Sequence, residues 1–198
     1  MFNKLSMAGV MAFAGVLLLG TGTAMAERQE IAYGAIKTNF NGGTSSLFYK
    51  PNPAFKRREI SYTSGEAAGT IIIETRKRYL YYVLPNGKAM RYGIGVGRSG
   101  FAWQGSEKIT RKAEWPDWHP PAEMRARQPE LPEMMEGGPN NPLGARALYL
   151  GATEYRIHGT AQPWTIGQAV SSGCIRLTNE DVIDLYKRAK VGAKVIVR

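Results

Sequence analysis

The chain holds one cysteine and two histidines. Cys174 lies in the run Val170-Ser171-Ser172-Gly173-Cys174-Ile175-Arg176-Leu177, and Ile157-His158-Gly159-Thr160 places an imidazole sixteen residues before it. A lone thiol forms no internal disulfide and no metal site by itself; with a His to activate it, it becomes a nucleophile for acyl groups. The thiolate is the attacking species and a free Cys is mostly protonated near neutral pH, so the His acts first as base and later as acid toward a leaving amine. The bland alternative is a buried, inert thiol, and composition alone weighs the two evenly.

The small residues ahead of the thiol have a second use. Ser171-Ser172-Gly173 allows a tight turn, which predicts that the N–H groups of Gly173 and Cys174 form an oxyanion site; one such donor is worth roughly 2.7–4 kcal/mol. No acid lies near His158 in sequence, so the nearest group to orient its ring is the carbonyl of Gly159. Chain order is informative as well. Papain-like enzymes place the Cys before the His, and here no His follows Cys174, which excludes that class. His119, in Trp118-His119-Pro120-Pro121, sits among prolines and reads as structural or as part of a substrate loop.

The elements that must position these groups are mostly strands. Ile60 and Tyr62 alternate with polar residues. Thr70 to Glu74 and Tyr79 to Val83 are short runs rich in β-branched and aromatic residues, and Asn86-Gly87 signals a hairpin whose return strand spans Met90 to Val96. Gly93, Gly95 and Gly97 interrupt that strand, which predicts a bulge or close backbone approach. Residues 115–142 hold most of the prolines, in a stretch too long for an ordinary connection; Trp115, Trp118 and Met124 give it weight to pack down. Strands follow at Ala147 to Leu150 and Tyr155 to Ile157, the second ending at His158. A helix is expected from an N-cap at Thr178 or Asn179, with Val182, Leu185, Tyr186 and Ala189 on its apolar face. Gly192 ends it, and Ala193 to Val197 is a final strand. The fold class is mainly β, with a short helix after the Cys.

Lys4, the apolar run Met7 to Leu19 and Ala24-Met25-Ala26 together have the form of a secretory signal, cut near Ala26/Glu27. The domains expected are a signal peptide over 1–26, a flexible arm over 27–59 rich in Gly, Asn, Ser and Thr, and one catalytic domain over 60–198. An oxidising compartment makes an unpaired, idle thiol costly to keep, which favours reactivity at Cys174. The formal net charge is +10, but the Lys and Arg are scattered. Without a basic block or an RNA-reading aromatic motif, nucleic acid is not expected as a partner; anionic polymers of the cell envelope suit the field better.

With both motifs in view, Ile157-His158-Gly159-Thr160 and Ser171-Ser172-Gly173-Cys174-Ile175-Arg176 resemble the catalytic signature of the L,D-transpeptidase (YkuD domain) family, Gram-negative periplasmic type. Pro139-Asn140-Asn141-Pro142-Leu143-Gly144 and Glu114-Trp115-Pro116 resemble further segments of such members, and Ser172 stands where many carry a His. The resemblance covers roughly residues 60 to 198. It implies a β-sandwich and a Cys174 thiolate that attacks the L-centre carbonyl of the third residue of a tetrapeptide stem of peptidoglycan, releasing D-Ala protonated by His158. An amine then takes the acyl group, giving a 3→3 cross-link or an outer-membrane protein or lipoprotein attached to the wall; water would make the chain a carboxypeptidase or endopeptidase. It implies no cofactor and no metal. Site residues are Cys174, His158 and Gly159, with Gly173, Ser172, Ser171 and Arg176 at the oxyanion or substrate. Arg176 holds a stem carboxylate, braces the Cys turn or closes a salt bridge at the core edge. A catalytically dead wall-binding module is the distant alternative.

Overall fold

The structure, a computed structural model, describes residues 52–198. The expected signal segment, its cleavage point and the arm over 27–51 lie outside them. The strands are β1 (Arg58–Ser61), β2 (Ile71–Glu74), β3 (Tyr79–Leu84), β4 (Lys88–Gly93), β5 (Val96–Gly97), β6 (Gly105–Glu114), β7 (Arg146–Leu150), β8 (Arg156–His158), β9 (Ala169–Ser171), β10 (Ile175–Arg176) and β11 (Lys194–Val197), with helices α1 (Ala122–Arg127) and α2 (Asn179–Arg188). The class is mainly β, as expected.

One nine-stranded sheet runs β1-β4-β3-β2-β11-β6-β7-β8-β10, and β5 pairs with β9 in a separate ladder. The joint is β6. Its first residues, Gly105 to Lys108, pair with β11, and from Ile109 onward it pairs with β7, with a register shift between Ile109 and Arg111. A bulge bends a strand and raises its twist, so the sheet curls there and its two halves close on one core. Ile71, Ile73, Leu80 and Tyr92 from one half share that core with Leu148, Leu150, Ile157 and Ile175 from the other. The sandwich read from sequence is therefore a single curled sheet. Period-two alternation sends Ile72, Tyr81 and Val83 to a smaller outer cluster.

Asn86 and Gly87 both adopt left-handed φ, 60° and 65°, in the three-residue loop that joins β3 to β4. The return strand differs from the reading above: β4 stops at Gly93, and Val96–Gly97 leaves to pair with β9. The glycines explain this. A Cβ at Gly93 would collide with Phe55, one at Gly95 would lie 2.9 Å from the carbonyl of Thr165, and one at Gly97 would lie 2.6 Å from that of Phe101. Phe55, in a 3-10 turn over Pro53–Phe55, stacks obliquely on Tyr79, and β1 starts at Arg58. The folded unit therefore begins ahead of residue 60.

The proline-rich stretch folds back on itself: Trp118 and Met135 exchange backbone hydrogen bonds of 2.8 Å. Trp118 is buried, whereas Trp115, expected to pack, is 42% exposed. Thr178 caps α2, its hydroxyl accepting from the Asp181 N–H at 3.2 Å. Val182, Leu185 and Ala189 lie in the core with Tyr186 packed on it, so α2 closes the end of the sheet that carries the Cys and His segments.

Candidate active site

Strand β8 carries His158 between β7 and β10; it pairs with Ala147 on one side and Arg176 on the other. Side chains alternate along a strand, so His158 shares its face with Arg156. The ring is buried, 4% exposed, and its Nδ1 lies 2.5 Å from the carbonyl of Gly159. A carbonyl only accepts, so Nδ1 carries the proton and Nε2 is left as the lone-pair base. Burial, with Arg176 next in weight, pushes the imidazole down to about 3, against the carbonyls of Gly159 and Leu143. His158 is thus neutral at physiological pH. Gly159 has no room for a side chain: a Cβ there, or at Gly144, would collide with Asn179 Oδ1, which accepts from the Ala145 N–H at 2.9 Å.

Cys174 rides a turn between β9 and β10. Ser171, at the end of β9, donates its hydroxyl to the carbonyl of Cys174 at 2.6 Å and accepts from the Gly173 N–H at 3.3 Å. Gly173 sits at φ 106°, where a Cβ would collide with Tyr155; its carbonyl accepts from Trp103 Nε1 at 3.1 Å, and Trp103 stacks on Tyr155 at 4.6 Å. The far side of the turn is held by the bridge between Gly95 and Arg176, two backbone hydrogen bonds of 2.9 Å. This corrects part of the oxyanion expectation: the Gly173 N–H is occupied by Ser171, while among the described residues no hydrogen bond engages the N–H of Cys174. Ser171 is a turn-holder, buried at 3% exposure.

Both chemical groups face one cavity of about 650 Å³, lined by His158, Cys174, Ser171, Ser172, Arg156 and Arg176, with Phe101, Tyr155 and Leu143 and with Met124 of α1 at its edge. At rest the thiol donates to the carbonyl of Glu154 at 3.8 Å rather than to His158. Burial raises the thiol's pKa, and Arg156 and then Arg176 act against that rise. Arg176 makes no ion pair among the described residues, and its Nε is buried without a partner, so the core-edge salt bridge is absent. His119 lies outside this cavity, in a neighbouring hollow with Asp117 and Arg111. Tyr92 lies outside the cavity, wholly buried, and donates to Asp184 Oδ2 at 2.6 Å.

Sequence reasoning missed Arg156. Its signal was available in the period of β8, two residues before His158. Tyr155 and Trp103 gave no such sign, because their stack depends on a contact between distant segments. Among the described residues no group of three His, Cys, Asp or Glu side chains is placed to hold a metal ion, and no helix is long and apolar enough to cross a membrane. A neutral base, a thiol and unpaired guanidiniums around one cavity suit acyl transfer from a carboxylate-bearing substrate.

Comparison with known proteins points the same way. The model of the YkuD family, the L,D-transpeptidase catalytic domain, matches residues 68–197. A probable L,D-transpeptidase, YbiS, of Escherichia coli (strain K12) is 38% identical over 135 residues, covering 64% of this chain and 43% of that relative. The chain thus spans less than half the length of that relative. A solved structure from Brucella melitensis, described as a probable carnitine operon oxidoreductase caia, is 46% identical with a TM-score of 0.51, covering 74% of this chain and 96% of that one. An L,D-transpeptidase from Mycobacterium smegmatis shares the fold at 17% identity and a TM-score of 0.52, covering 65% of this chain and 58% of its own.

Proposed function

The chain belongs to the L,D-transpeptidase (YkuD) family, and from that premise we propose that it is a cysteine acyltransferase of peptidoglycan stems. The observation that carries this reading is the neutral His158, fixed by Gly159, facing the same cavity as the single thiol.

The chemistry follows from the two side chains. His158 Nε2 takes the Sγ proton as Cys174 attacks the L-centre carbonyl of the third residue of a tetrapeptide stem. The S–C bond forms, the N–H of Cys174 is the free donor toward the oxyanion, and the C–N bond to the terminal D-Ala breaks. The imidazolium returns its proton to the departing amine, leaving a thioacyl enzyme. An incoming amine then attacks the thioester, loses a proton to His158 and releases the thiol. Arg176, without a carboxylate of its own, holds a stem carboxylate by charge-assisted hydrogen bonds. The acceptor is a second stem or an envelope protein, and the reaction takes place in the periplasm, on the strength of the signal-like segment over 1–26.

Incubation with purified tetrapeptide-containing peptidoglycan, read by mass analysis, tests this. Cross-linked dimers or protein adducts are expected. Tripeptides alone would move the chain to the carboxypeptidases, and unchanged stems would sink the proposal.

A further inference from the structure

One strong group in the cavity has no part in the steps above. Arg156 carries a guanidinium into the same cavity as the thiol and imidazole, its Nε is buried without a partner, and no carboxylate among the described residues pairs with it. Its guanidinium lies over the ring of Tyr149 at 5.5 Å, and the same ring carries Arg111 at 3.6 Å. Two cations thus crowd one aromatic ring with no carboxylate between them among the described residues, and the Arg156 side chain meets the Cys174 thiol. A half-buried, unmatched cation is costly to a fold. A fork of donors held by an aromatic ring is suited to a planar anion supplied from outside.

Its position says which anion. Strands β8 and β10 run parallel in the register Ile157 with Ile175 and His158 with Arg176, so the next pair back is Arg156 beside Cys174. Arg176 sits beside the base and Arg156 beside the thiol. In the acylation step the bond that breaks joins the attacked carbonyl to the nitrogen of the terminal residue. That residue's α-carboxylate is two covalent bonds from the nitrogen, so it must lie close to Sγ and to His158.

We propose that Arg156 is a specificity-determining residue that grips the terminal α-carboxylate of the departing D-amino acid, so that the enzyme accepts stems ending in a free carboxylate. This rests on the acyltransfer reading above. The carboxylate keeps its charge throughout; the S–C bond forms, the C–N bond breaks, and the amine leaves with the proton from His158. A site built around a charge contact rejects the ligand that lacks it far more strongly than a pocket discriminates by shape alone.

The test uses two soluble stems, one a tetrapeptide ending in D-alanine and one ending in D-alaninamide, with released D-alanine or D-alaninamide measured by mass. The native enzyme should favour the acid by about 100-fold in kcat/KM. Arg156→Gln should remove most of that preference by slowing the acid far more than the amide, which slows only through the loss of the Arg156 charge beside the thiol. Equal loss on both stems would overturn the proposal, since a residue that only supports the thiol or the fold slows both alike. Arg156→Lys, which keeps the charge and loses the fork, should retain the preference at a lower kcat/KM; no preference there would also overturn it. Native enzyme that releases both alike overturns the role of Arg156 and leaves acyl transfer standing, whereas release from neither stem overturns both.

Discussion

The Ser171 hydroxyl donates to the carbonyl of Cys174 at 2.6 Å, so the last residue of β9 closes the turn on which the thiol is presented. The same oxygen accepts from the Gly173 N–H, and the two bonds make Ser171 a support of the turn rather than a substrate contact. Ser171→Ala leaves a buried carbonyl and a buried N–H without their partner, a loss of about 1–3 kcal/mol. Urea unfolding should show that loss, and thiol acylation should slow with it. A variant with native stability and native acylation would refute the support role.

Cys174 is the single thiol in the chain, which makes acylation simple to assign. A carbapenem should add once to the protein, seen as one mass increment, and Cys174→Ala should abolish it. An increment that survives the substitution places the nucleophile elsewhere.

His158 is held neutral well below the range of an ordinary imidazole, at about 3 against 6.5. Its role as base should persist as pH falls from 7 to 5, so the acylation rate should show no inflection near 6.5; one found there that vanishes in His158→Gln would contradict this assignment. His158→Ala should keep the fold and slow acylation by about 100-fold or more.

The same shift has a consequence for stability. The unfolded imidazole binds its proton below 6.5 while the folded one does not, so this group's contribution is present above 6.5 and lost as pH falls toward 3. In thermal melts the native protein should lose stability over that window by a few kcal/mol more than His158→Gln does. Parallel curves for the two proteins would rule the buried, neutral imidazole out.

Asp181 has the opposite sign. Burial in the first turn of α2 raises its carboxyl from 3.8 to about 6, in spite of Arg57 at 3.6 Å. The folded state holds that proton more tightly than the unfolded one, so the contribution is present below 3.8 and lost as pH rises through 6. Relative to Asp181→Asn, the native protein should weaken between pH 4 and 7 by on the order of 2–3 kcal/mol. A constant difference across that interval would show Asp181 to be ionised throughout.

Strands whose alternation and turn chemistry are local were legible from sequence: β2, β3, the Asn86-Gly87 turn, and α2 with its Thr178 cap. So was the bringing together of Cys174 and His158, which line one cavity, because the strand-end position of the His and the turn ahead of the Cys are local features. The end of β4 was not, because Gly93 yields to Phe55, a residue far away in sequence. The curl at β6 was hidden for the same reason, since a register shift belongs to two partners, β11 and β7, rather than to the strand that bends.

The sequence by itself determined that this protein carries one thiol and one well-placed imidazole, in motifs of a known family, on a mainly β chain. The tertiary structure alone decided how they are set. It neutralises His158 by burial, gives the Gly173 N–H to Ser171 and leaves that of Cys174 free. It also brings Arg156 beside the thiol with no carboxylate among the described residues to pair it. Burial, hydrogen-bond partners and unpaired charge are properties of neighbours across strands, and the parallel register of β8 and β10 creates those neighbours only when the sheet has formed.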